Sequence, residues 1–114
     1  MKKMNDKTIS DAMKKYLIGK ELRSRIEKAE EAYIKALHNE DEEYLKNHKL
    51  NSKGAIAKKL GEECHLSATT VINYGNYSDV LEQVKEKNEL LVKQILAGET
   101  HMTYKDLKKM IEVL

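Results

Sequence analysis

Proline is absent from all 114 residues, and the five glycines stand singly along the chain. Proline fixes φ and removes a backbone donor, so without it nothing covalent interrupts a helix at any position. Isolated glycines suit short connections between helices. Charged residues make up 35% and hydrophobic residues 40%, a globular composition at its polar end. The length fits one domain. The core has to be largely aliphatic, because six Tyr are accompanied by no Trp and no Phe. No segment alternates apolar and polar residues at period two. These features predict an all-α, compact helical domain of about six helices.

The helices can be placed by capping signals and apolar spacing. Thr8-Ile9-Ser10-Asp11 has the form of a capping box. Ile9, Ala12, Met13, Tyr16 and Leu17 then recur at helical spacing, which predicts a first helix ending near Ile18, with Gly19 as its stop. A second helix carries Leu22, Ile26, Ala29, Tyr33 and Leu37 on one face. The acidic stretch Asn39–Glu43 reads as a solvated helix end or bend, and Tyr44 and Leu45 add one more turn. Asn51 or Ser52 can cap a third helix bearing Ile56, Leu60 and Cys64. Ser67 precedes a short helix that Gly75 ends, and Asn76 or Ser78 caps the next. That helix runs through Leu90, Leu91, Ile95 and Leu96 to Gly98, a C′ glycine. Thr103-Tyr104-Lys105-Asp106 is a second capping box, opening a last helix with Leu107, Met110, Ile111 and Leu114.

The net charge of +2 conceals blocks of opposite sign. Residues 1–25 carry eight Lys/Arg against three acids, and residues 26–45 carry two Lys against seven acids. Residues 46–61 carry five Lys and no acid. The small total says little about partners. Five lysines leading through a helix into a turn say more.

That turn lies within Ile56–Tyr74, which reads as a helix-turn-helix. Two helices crossing through a turn of a few residues need a small residue at the close approach, and Gly61 stands there. Cys64 and Leu66 supply apolar filling, Ser67 caps the second helix, and Val71 and Tyr74 form its inner face. The residue after Cys64 needs a positive φ that glycine usually provides. Here it is His65, which tolerates that conformation better than most side chains. Ala68, Thr69, Ile72 and Asn73 remain for the outer face. Asn can pair with adenine through two hydrogen bonds, and Ala or a Thr methyl can contact a thymine methyl. The expected base contacts are Ala68, Thr69 and Asn73, and the expected phosphate contacts are Lys53, Lys58, Lys59, Ser67, Asn76 and Tyr77.

The run Gly61–Val84, with Ile95-Leu96-Ala97-Gly98-Glu99 and Thr103-Tyr104-Lys105-Asp106-Leu107 after it, resembles the central DNA-binding region of ParB-type partition proteins. It is closest in look to their relatives on phages, plasmids and other mobile elements. Tyr16-Leu17-Ile18-Gly19-Lys20 also resembles a segment that precedes the motif in such proteins. The resemblance covers residues 52–114 well and 8–25 loosely. It implies sequence-specific binding of double-stranded DNA by a regulator or accessory protein. The nucleotide-binding domain of that family, with its arginine-rich box, has no counterpart here, so no CTPase or nuclease activity is implied.

Residues 1–50 are accordingly expected to supply helices for packing or dimerisation, and 51–114 the helix-turn-helix and C-terminal helices, within one structural domain. A homodimer through the Leu22–Leu37 helix would let two motifs span two half-sites. The alternative is a helical protein-interaction module or inhibitor that keeps this fold without reading DNA. No enzyme is expected. The four His are dispersed, the single Cys64 lacks the basic, electropositive surroundings of a nucleophile, and the acids at 40–43 lack a calcium-loop spacing. No metal or cofactor site is expected. No apolar run reaches the ~18 residues of a membrane span. The basic N-terminus lacks a signal-type apolar stretch. A cytoplasmic protein is expected.

Overall fold

The computed structural model describes residues 9–48 and 53–113. They form six helices, α1 (Asp11–His38), α2 (Glu42–Asn47), α3 (Lys53–Cys64), α4 (Ala68–Lys87), α5 (Glu89–Leu96) and α6 (Tyr104–Val113), and no strand occurs among them. The all-α expectation is met. The helices fall into two compact units. One comprises the residues up to Lys20 together with those from Asn73 onward, and the other is Glu21–Ile72.

The discontinuous unit has a core of Tyr16, Tyr77, Val80, Leu81, Val84, Val92, Ile95 and Leu107. The Tyr16 hydroxyl donates to the Glu82 carboxylate, and the Lys20 ammonium lies 3.5 Å from the same carboxylate. Burial pushes the Tyr16 hydroxyl up, and the bond it donates holds Glu82 below the usual carboxylate range. Ser10 closes the start of α1. Its hydroxyl accepts the Met13 N–H at 3.0 Å and donates to the Leu96 carbonyl at 2.6 Å. The expected cap Thr8 lies outside the described residues, as do Asn51 and Ser52.

Three helix boundaries differ from the sequence expectation. Gly19 does not stop a helix, because α1 runs unbroken through it for 28 residues. An added Cβ at Gly19 would collide with the Tyr74 carbonyl oxygen and lie 2.7 Å from the Ser78 Cβ. The glycine therefore serves a close approach of α1 to α4. Gly75 likewise sits buried inside α4, and Ser78 is 2% exposed and caps nothing. The third difference is a break at Asn88. Its side chain accepts the Leu91 N–H at 3.1 Å and starts α5, which divides what periodicity joins.

Other ends follow the sequence. Gly98 has φ of +82°, with the Glu99 N–H bonded to the Gln94 carbonyl at 2.9 Å and the Gly98 N–H to Ile95 at 3.0 Å. This pair of bonds is a Schellman end. Thr103 and Asp106 exchange the reciprocal bonds of a capping box at 3.1 and 3.2 Å. They hold the Asp106 carboxyl below its usual range.

The two roles of Gly19 make opposite predictions. A glycine merely tolerated in a helix gains about 1 kcal/mol on replacement by Ala. A glycine at a backbone contact loses on overpacking, typically about 1–3 kcal/mol. Gly19→Ala is expected to lower the thermal midpoint followed by circular dichroism. A raised midpoint would show that α1 and α4 do not need this approach.

Candidate functional site

In the continuous unit, the spacing of α3 divides its residues cleanly. Ala57, Leu60 and Gly61 are buried, and Lys53, Lys58, Lys59, Glu62 and Glu63 are exposed. The three expected phosphate-binding lysines therefore all reach solvent.

Residues 65–67 join α3 to α4. His65 has φ of +61°, as its place in the turn requires. The Leu66 N–H returns to the Gly61 carbonyl at 2.8 Å, the long bond of a Schellman end. The same fold-back sets the Leu66 carbonyl oxygen where a Cβ at residue 61 would collide with it. The small residue is thus demanded by the backbone of the turn, and the sequence reading had assigned the contact to the second helix. Ser67 caps α4, its Oγ accepting the Thr70 N–H at 3.1 Å and donating to the Thr70 Oγ1 at 2.9 Å.

Beyond the cap, Val71 is fully buried while Thr69 and Ile72 are exposed and Ala68 is half-buried. Within the other unit, Asn73 is exposed and Asn76 is half-buried with its interactions engaged. Tyr77 departs from its expected role. It is 9% exposed and belongs to the core, because position 77 faces the same way as Val80, Leu81 and Val84. Burial leaves it without an outward face for phosphate and pushes its hydroxyl up.

The sequence reading missed Arg25. Its guanidinium donates two bonds to the Glu63 carboxylate, at 2.7 and 3.1 Å, and a third to Glu21 at 2.8 Å. These bonds raise the Arg25 guanidinium above its ordinary value and hold the Glu63 carboxyl below its own. Glu63 is therefore a paired anion beside the lysines of α3, with Glu62 exposed next to it. Arg25 and Glu63 are 38 positions apart, and no local spacing announces such a pair.

Among the described residues, no group of three His, Cys, Asp or Glu side chains can hold a metal ion. The Cys64 thiol is free and half-buried. No described helix is long and apolar enough to cross a membrane.

The turn generates a paired prediction. A non-glycine residue in the left-handed region costs roughly 1–2 kcal/mol, offset in part by the extra freedom glycine gives the unfolded chain. His65→Gly is expected to hold or raise stability, by at most about 1 kcal/mol. Gly61→Ala is expected to lose about 1–3 kcal/mol, since backbone is the obstacle. Urea unfolding of both variants measures this, and a stability loss in His65→Gly would contradict the turn described here.

The chain matches no family model, no curated protein and no solved structure.

Proposed function

We propose that this protein binds double-stranded DNA sequence-specifically, with α3, the 65–67 turn and the first turns of α4 acting as a helix-turn-helix. The observation that carries the reading is the turn. A histidine takes a conformation favoured by glycine, a serine caps the helix that follows, and Thr69 and Ile72 after the cap are exposed. In this reading α4 is the recognition helix. Ala68 and Thr69 meet thymine methyl groups and Asn73 pairs with adenine. Lys53, Lys58 and Lys59 neutralise phosphates, and their counterion release supplies most of the non-specific affinity. Arg25 supports this reading by engaging Glu63, which would otherwise repel the phosphates alongside Lys59.

The resemblance to ParB-type relatives of mobile elements suggests a regulator or accessory role, in the cytoplasm and without enzymatic activity. A homodimer fits operator spacing. Leu22 and Ile26 are buried and cannot form its seam, whereas Ile34 and Leu37 are 50% and 52% exposed. Those two residues also favour the second reading, a helical module that binds another protein through the end of α1.

Two alanine variants separate these readings. Asn73→Ala is expected to cost about 1–3 kcal/mol at the preferred site and to relax sequence preference, with random duplex bound as before. Lys59→Ala is expected to weaken all sequences alike and to reduce the salt slope by about one unit. Fluorescence anisotropy on a selected site and on random duplex, at several salt concentrations, measures both. Identical behaviour of the two variants would remove Asn73 from base readout. Salt-independent, negligible affinity for every duplex would favour the protein-binding module.

A further inference from the structure

A cleft of about 340 Å³ lies among the start of α1, α4 and the segment around residues 100–104. Its volume falls at the small end of sites that hold small molecules. Tyr74, Tyr77, Tyr104 and the Met102 thioether line it, over Ala12 and Ile95. Aromatic rings and a polarisable sulfur favour a planar aromatic occupant.

Among the described residues, Lys15 supplies the one ammonium of the lining. It is half-buried, and its nitrogen lies 5.9 Å from the Tyr74 ring centroid. That is the outer limit of cation–π attraction. Among the described residues, Lys15 meets the Tyr74 ring. Asp11, one turn earlier on α1, also lines the cleft but is exposed and is not paired with Lys15 among the described residues. His101, Thr100, Thr103 and the Asn73 amide add further polar groups to the lining. A cation partly removed from water gains most from an anion that brings hydrogen-bond acceptors to it.

We infer that this cleft binds a small planar aromatic carboxylate, its ring among Tyr74, Tyr77 and Met102 and its carboxylate on Lys15. A rigid ring enters with little conformational entropy to lose. The Asn73 amide at the edge can donate a second bond to the carboxylate. Occupancy also has a consequence that rests on the DNA reading above: an amide engaged by the ligand is withdrawn from a base edge. Ligand and operator then oppose each other, and by linkage each weakens the other by the same factor.

The test uses the full chain and three probes of one shape, naphthoate, naphthamide and naphthylmethylamine, titrated by ligand-observed NMR. Naphthoate is expected to bind about tenfold more tightly than the amide, as one charge-assisted contact provides. Lys15→Met should bring the acid down to the level of the amide and leave the amide unchanged, with a parental melting curve. Tyr104→Ala should weaken acid and amide together. Lys93→Met, a change of an exposed lysine outside the cleft, should alter neither. Equal binding of acid and amide, an acid preference that survives Lys15→Met, or absence of saturable binding overturns the proposal. Tightest binding by the amine also overturns it, by making Asp11 the recognising group. Adding naphthoate to the DNA complex is a separate measurement: binding to the cleft without any change in DNA affinity overturns the opposition alone.

Discussion

Because residue 61 has no side chain, the Leu66 carbonyl oxygen can lie against its Cα, and what α4 presents in its first turn follows from that approach. The Leu66 N–H closes the end of α3 on Gly61. His65 must then take positive φ, which reverses the chain and sets Ser67 at the cap. With the cap fixed, helical spacing turns Val71 inward and Thr69 outward. A side chain at 61 would disturb each of these steps in order. The lysines of α3 depend on the same residues from the other direction, since Ala57, Leu60 and Gly61 define the buried face opposite them.

The sequence made the helices and this turn legible because both are local. The Thr103–Asp106 box, the Ser67 cap and the Gly98 end each lie within a few residues, and each has the expected bonds. What local signals could not carry was the reason for a glycine. Gly19 looks like a stop and is a helix contact, because its neighbours Tyr74 and Ser78 come from far along the chain. Glycine as punctuation and glycine as spacer look the same in one sequence. Asn88 failed in the opposite sense. Its capping preference was present in the sequence, and continuous apolar spacing on either side hid it. Reading Gly75 as a helix end leaves Tyr77 outside the phase of the preceding helix, whereas the unbroken α4 carries it into the core.

Electrostatics was the least legible level. Segment totals put seven acids against two lysines over residues 26–45, yet what matters locally is one arginine before that block and one glutamate after it. Arg25 and Glu63 meet through two hydrogen bonds. Both side chains remain partly solvated, so the pair contributes more to the local field than to stability. Arg25 also holds Glu21, so the cluster leaves the total over residues 53–64 unchanged and alters only how that charge is distributed.

The chain order of the two units bears on how the protein is made. Glu21–Ile72 is contiguous, whereas its companion joins residues up to Lys20 with those from Asn73 onward. On a ribosome adding about 5–20 residues per second, the first part waits roughly 3–10 s before its companions begin to be synthesised. Ser10 waits longest, since the carbonyl that receives its hydroxyl belongs to Leu96. The contiguous unit needs no residue beyond Ile72, whereas the other closes only by bringing together segments that residues 21–72 separate, at the entropic cost of a loop of that length. Vectorial synthesis thus favours an order of assembly in which the segment carrying the turn is formed first and the segment carrying the cleft is formed last.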